Sequence, residues 1–281
     1  MRDREITGAS RASLASVRAT LERSLTGKSA EESLRIADEL GSIVAALDSS
    51  TGLRRALTDP SRDSAAKATL IDELFAKQLT KESLALLKEA ATLRWSTPSG
   101  LSDAVEILAI EAWATVADAK GEGERLEVEL FAVARTIQGS RELREGLSDA
   151  KFTIEAKAEL VTAIFAGALA STSLGVLKAV IAGLRGRNME RTLLLYSNAV
   201  VARKERTVAR VKSAVALDDA RQARLSTALE KVLGRKVRVD LEVDPLVMGG
   251  IQVRVGDELI DGTVINRLLD ASRSLAGRAV R

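Results

Sequence analysis

The sequence predicts a mainly α protein: a duplicated N-terminal helical bundle followed by a small C-terminal α+β domain. Three observations predict it. Residues 39–59 reappear as residues 129–149. Leu- and Ala-rich segments with helical spacing of apolar residues fill the chain up to about residue 207, and such residues favour helix over strand. Alternation of period two appears after Val237, where Val237, Val239, Leu241 and Val243 are interleaved with Arg238, Asp240, Glu242 and Asp244, the mark of a half-buried strand.

The first helix spans about Ser10 to Leu25. Leu14, Val17, Leu21 and Leu25 share one face, and Gly27 ends it. The repeat then begins. Leu40 pairs with Leu130, Leu53 with Leu143, Leu57 with Leu147 and Asp59 with Asp149, always 90 residues apart. The offset persists through Lys67/Lys157, Leu70/Leu160, Phe75/Phe165, Leu84/Leu174, Leu87/Leu177 and Lys88/Lys178. An unchanging offset across several helices means two copies of one supersecondary unit. Asp63 and Thr153 hold equivalent positions and both suit an N-cap.

Leu160 to Leu177 carries no formal charge, and about 18 such residues can span a bilayer. Its counterpart, Leu70 to Leu87, carries Asp72, Glu73, Lys77, Lys81 and Glu82. Each copy is therefore read as two helices, joined near Thr80 and Ser171, with no membrane span. Shifting the first helix by 90 places Leu14 and Val17 on Ala104 and Ile107, within a helix from Leu101 to Ala119. That helix is expected to close the first bundle and open the second, joining them rigidly. The expected boundaries are 1–119, 120–207 and 208–281.

The C-terminal domain is expected to contain a helix from Asp218 to Leu233, with Asp218 and Asp219 complementing its dipole and Gly234 closing it. Pro245 stops the first strand. Met248-Gly249-Gly250 leads into a second strand, Ile251 to Val255, and Gly256-Asp257 turns towards a short strand at Leu259-Ile260. After Gly262, Val264, Ile265, Leu268, Leu269 and Leu275 share a helical face with Thr263 as N-cap.

Composition removes most catalytic chemistry. The 281 residues include no Cys and no His. Disulfides, thiol chemistry, Cys/His zinc sites and Ser-His-Asp triads are excluded. The net charge of +3 is balanced and aromatics are 2% of the chain, too few for base stacking. Thr26-Gly27-Lys28-Ser29 has Glu22 where a phosphate loop needs glycine, so it reads as a helix cap and loop. Gly121-Glu122-Gly123 reads as a plain loop between copies. The basic run Arg185, Arg187, Arg191, Arg203, Lys204, Arg206, Arg210 and Lys212 reads as a solvated helix face, with docking of an acidic partner surface as the alternative. Carboxylate pairs such as Glu31-Glu32 lie on charged faces. No catalytic residue, cofactor or metal is expected.

The stretch from Val243 to Thr263 resembles the C-terminal signature of the delta subunit of rotary F-type ATP synthases, related to the oligomycin-sensitivity-conferring protein. The matching elements are Val243-Asp244, Met248-Gly249-Gly250, the Ile251–Val255 run with Arg254, Gly256-Asp257, and Ile260-Asp261-Gly262-Thr263. The likeness extends upstream through Ser213 to Leu233. The family has one helical bundle, and the duplication accounts for the excess length, as in high-GC Gram-positive bacteria. With no membrane-anchored leader visible, the chain is read as a free-standing delta.

The resemblance implies a non-catalytic stator (peripheral stalk) subunit at the cytoplasmic face of the cell membrane, membrane-associated only through the complex. N-terminal segments of alpha subunits would bind the bundle, with Leu14, Val17 and Leu21 as candidate contacts. The b subunits would bind the C-terminal domain, whose signature is Met248, Gly249, Gly250, Arg254, Gly256, Asp257, Asp261 and Gly262. No nucleic-acid partner is expected; the rival reading is a helical-repeat scaffold or weak nucleic-acid binder.

Overall fold

The computed structural model describes residues 9–149, 151–183, 188–233, 237–244, 247, 250–255 and 258–261. The chain divides into two compact units, Met1–Val200 and Val201–Arg281.

The first unit is helical. Its elements are α1 (Ala9–Leu25), α2 (Ala30–Ser49), α3 (Thr51–Thr58), α4 (Ser64–Phe75), α5 (Lys81–Thr92), α6 (Pro98–Ala119), α7 (Gly123–Gly139), α8 (Arg141–Ser148), α9 (Ile154–Phe165), α10 (Ser171–Ala182) and α11 (Met189–Thr207), the last running across the unit boundary. The offset of 90 carries α3 onto α8, α4 onto α9 and α5 onto α10 residue for residue. It also lays α1 within α6 and α6 over α11.

The repeated helices start where they do because their caps repeat. The Ser50 hydroxyl accepts the Leu53 N–H (3.1 Å), and the Ser140 hydroxyl accepts that of Leu143 (3.2 Å). Asp63 and Thr153 cap α4 and α9 as the sequence predicts. A glutamate on the long second helix of each copy caps the fifth. Glu39 accepts the Thr80 N–H at 2.9 Å, and Glu129 accepts the Ala170 N–H at 2.8 Å. Arginines one turn earlier, Arg35 and Arg125, hold these carboxylates at 3.0 and 2.6 Å.

Two hydrophobic cores result. The first gathers Leu14, Val17 and Leu21 of α1, Ile36, Leu40, Ile43 and Leu47 of α2, Leu86 and Leu87 of α5, and Leu101, Val105 and Leu108 of α6. The second gathers Ile110, Ala114 and Ala117 of the same α6, Leu126, Leu130, Val133 and Ile137 of α7, Val176, Leu177 and Val180 of α10, and Leu193 and Tyr196 of α11. Trp113 packs against both. The bundles expected at 1–119 and 120–207 thus share α6 and lie within one compact unit up to Val200. The uncharged run 160–177 is two helices, α9 and α10, separated at residues 166–170. Its apolar residues Val161, Phe165, Val176 and Leu177 are buried inside the second core. No described helix is long and apolar enough to cross a membrane.

The second unit holds a four-stranded sheet in the order β2-β1-β3-β4, built from β1 (Val208–Ser213), β2 (Arg238–Val243), β3 (Ile251–Val255) and β4 (Glu258–Asp261). β1 and β2 pair in parallel, connected through α12 (Asp219–Leu233), and the other pairings are antiparallel. Asp218 caps α12, accepting the Arg221 N–H at 2.7 Å. Ala209, Val211, Val253 and Val255 form the core with Leu225 and Leu229 of α12. β1 corrects the reading of the basic run as a helix face. Arg203 and Lys204 do lie on α11, but Arg210 and Lys212 lie on β1, an inner strand of the sheet. α11 passes straight into β1 with no Gly or Pro between them, so the sequence lacks the punctuation that separates elements. Gly234, Pro245 and the helix expected after Gly262 lie outside the described residues.

Gly175 lets α10 approach α6. A Cβ there would sit 2.6 Å from the Trp113 ring, and a rigid indole cannot yield cheaply. The equivalent residue of the first copy is Ala85, an ordinary helix position. Gly175→Ala is expected to destabilise the helical unit by about 1–3 kcal/mol through overpacking, although alanine is intrinsically the better helix former. Urea titration followed by circular dichroism checks this; a stabilised Gly175→Ala protein would show that the contact is not tight.

Candidate interaction surfaces

The groups that could suggest chemistry are committed to structure. In Thr26-Gly27-Lys28-Ser29, Gly27 takes φ +76° just beyond α1. Ser29 and Glu32 form a reciprocal capping box at the start of α2, at 3.2 and 2.8 Å. Lys28 pairs with Glu82 at 2.7 Å. Neither the hydroxyl nor the ammonium is presented to a phosphate. The Gly121-Glu122-Gly123 loop does more than its sequence suggests. The α10 N-cap residue, Ala170, has no capping side chain. Glu122 substitutes, accepting the Thr172 N–H at 2.9 Å and the Ser171 hydroxyl at 3.1 Å.

Two buried carboxylates escape a reading that looks for charged faces. Glu106 and Glu111 stand singly in the apolar stretch of α6 and are 5% and 4% exposed. Glu106 accepts the Tyr196 hydroxyl of α11 at 2.5 Å. Glu111 takes Arg18 of α1 on both oxygens, at 3.0 and 2.9 Å. The sequence does carry the signal: a lone acid in an apolar helix is buried with a partner. No group of three or more potential metal ligands exists among the described residues.

The α1 candidates Leu14, Val17 and Leu21 are 5%, 1% and 1% exposed and belong to the first core. They hold α1 in place and present no surface. An apolar helical stripe has the same sequence pattern whether it lines a groove or a core. The exposed residues of α1 are Ala9, Arg11, Ala12, Ala15, Ser16, Ala19 and Arg23.

The second bundle shows more large apolar side chains to solvent than the first, where Leu74 of α4 is exposed. Val128 and Phe131 are 64% and 51% exposed. Both lie on the side of α7 opposite its core residues, and Phe152 and Ile154, at the start of α9, are exposed as well. The equivalent residues of the first copy are Asp38, Gly41, Arg62 and Ser64. The first copy forms the same helices with these polar or small residues, so the apolar ones are not needed for folding.

In the C-terminal unit, Arg254 is exposed on β3, directly opposite Arg210 of β1. Gly250 enters β3 with φ +81°, a conformation that favours glycine. Asp261 ends β4 opposite Gln252. Met248, Gly249, Gly256, Asp257 and Gly262 lie outside the described residues.

The profile of the family described as ATP synthase delta (OSCP) subunit matches residues 111–275, more than half of the chain. The chain belongs to this family. The ATP synthase subunit delta of Streptomyces griseus is 39% identical over 272 residues, covering 97% of this chain and all of the relative. That of Kineococcus radiotolerans is 38% identical, covering 96% of this chain and 98% of its own. A chain of the Toxoplasma gondii mitochondrial ATP synthase hexamer is similar at 16% identity and a TM-score of 0.30, over 59% of this chain and 94% of its own. The delta-family profile begins at Glu111, inside α6, and so covers the second bundle and the C-terminal domain. The full-length relatives match the first bundle as well.

Burial raises the pKa of Glu39, but hydrogen bonds from Ser83, Thr80 and Arg35 outweigh it and hold the carboxyl below the usual glutamate value. A lowered folded-state pKa adds stability above the unfolded value of about 4.3 and loses it as pH falls through the folded value. The wild-type helical unit should therefore weaken in that acidic window. Glu39→Gln should be less stable near neutrality and lose less on acidification. Parallel urea titrations at pH 7 and pH 3.5 test this; equal losses in both proteins would refute the role of Glu39.

Proposed function

We propose that this chain is a non-catalytic stator subunit of a proton-translocating F-type ATP synthase, at the cytoplasmic face of the cell membrane. It would link the alpha/beta head to the b subunits, so that rotor torque drives synthesis on other subunits. Likeness to ATP synthase delta subunits along nearly the whole chain carries this reading. The geometry fits the task. Torque is held only by a stiff connection, and the two bundles are joined through a continuous helix that both cores bury. Carboxylates that could do chemistry serve as caps and pin α6. Association with the membrane is through the complex.

The bundles would hold N-terminal segments of alpha subunits and the C-terminal domain the b subunits. The first bundle is one seat for the head, with Leu14, Val17 and Leu21 supporting α1 from beneath. The exposed Val128 and Phe131 favour a second seat, on the second bundle. Amphipathic partner helices dock by such apolar anchors.

Two variants separate these seats. Ala12→Arg with Ala19→Arg, on the exposed side of α1, should abolish binding of an alpha N-terminal peptide if the first bundle is the seat, and it leaves the buried Leu14, Val17 and Leu21 in place. Val128→Ser with Phe131→Ser should instead weaken binding if it is the second, with a stability change within about 0.5 kcal/mol because both side chains are on the surface. Calorimetry of the peptide with each protein reads the result. Binding unaffected by both changes, or a salt-sensitive association with nucleic acid and none with alpha or b subunits, would contradict the proposal.

A further inference from the structure

The alternation of β1 and β3 puts Ala209, Val211, Val253 and Val255 into the core with α12. It leaves Arg210, Lys212 and Arg254 on the other face, beside Asp240 and Glu242 of β2. In register, Asp240, Arg210 and Arg254 form one row across three strands, and all three are exposed. Lys212, in the next row, is compensated by Asp244 at 3.2 Å and Glu242 at 3.5 Å. Arg210 and Arg254 form no ion pair or side-chain hydrogen bond among the described residues. Like charges directly opposite each other in an antiparallel pair destabilise it, so the sheet gains nothing from this pair by itself.

We infer that this open sheet face is the seat of an acidic helix of the partner, with Arg210 and Arg254 each taking one of its carboxylates. This rests on the reading that the C-terminal domain docks the b subunits. Opposed residues on antiparallel strands have Cβ atoms about 4.5–5.5 Å apart, and residues one turn apart on a helix about 5–6 Å. A helix laid across β1 and β3 with acids at i and i+4 matches that spacing. Guanidinium groups grip carboxylates in planar, two-pronged fashion. Asp240, next in the row, asks for a base on the same partner face. The pattern is thus acid, acid, base, which a uniformly negative chain does not satisfy. No aromatic residue follows Tyr196, so the unit offers no stacking surface to nucleic-acid bases.

The test uses the full chain and purified soluble b subunits, with binding measured across a salt series. Arg210→Gln with Arg254→Gln should fold at least as well as wild type, because a like-charge pair is removed. It should bind b at least tenfold more weakly, with a flatter salt dependence. Arg210→Glu with Arg254→Glu should bind more weakly still, and if it fails to fold, the Gln variant decides. Restoration by Arg210→Lys with Arg254→Lys to between the two supports a charge contact. Unchanged b affinity in the Gln variant would overturn the inference while leaving the C-terminal domain as the dock. A Gln variant that loses only binding to heparin, a plain polyanion, would overturn it equally. No binding of b by the wild-type chain would defeat the docking reading and the inference with it.

Discussion

The helical region depends on α6 being buried from two sides. Leu101, Val105, Leu108 and Ala112 belong to the first core, Ile110, Ala114 and Ala117 to the second, and Trp113 touches both. A helix apolar around most of its circumference is stable in water only when covered by neighbours on several faces. The duplicated unit supplies them. α1 takes against α6 the place that α6 takes in the second copy, as the offset of 90 requires. Glu106 and Glu111 add specificity. A buried carboxylate without partners is costly, so α6 accepts only neighbours that bring Tyr196 on one side and Arg18 on the other.

That constraint connects folding to function. Separate bundles on a flexible tether could bind two partners yet would let one turn against the other. A shared helix makes the helical strut longer without adding a hinge between the bundles. The same stiffness explains why the chemistry-bearing residues do so little chemistry. Glu39, Glu129 and Glu122 occupy helix N-termini, and Lys28 holds the α1–α2 loop to α5 through Glu82. The partner surfaces we propose are therefore exposed ones, the outer side of α7 and the arginine row on the sheet.

Much of this is legible in the sequence because repetition constrains it. A single offset of 90 yields the helix breaks, the caps at Asp63 and Thr153, the absence of a span at 160–177, and the double use of α6. β2, β3 and β4 are legible from alternation and turn residues. β1 is not, because Val208 follows α11 with no turn between them and Arg210 and Lys212 look like a continuing basic face. The surfaces are the least legible. Leu14, Val17 and Leu21 stand out by apolar periodicity, which identifies what faces inward. Val128 and Phe131 interrupt that periodicity, and only comparison with Asp38 and Gly41 in the first copy marks them as surplus to folding. Glu122 looks like filler because its role, capping α10, spans 50 residues of sequence.

The central claim is that the two bundles are one rigid body. The chain has no native cysteine, so spin labels can be placed at the exposed positions Ala66 of α4 and Ala156 of α9 without background. Pulsed dipolar spectroscopy between them reads the distance distribution across α6. A rigid pair of bundles predicts one narrow distance, unchanged when the C-terminal domain is bound to b subunits. A broad or bimodal distribution, with each bundle still folded, would show two bodies moving independently and contradict it.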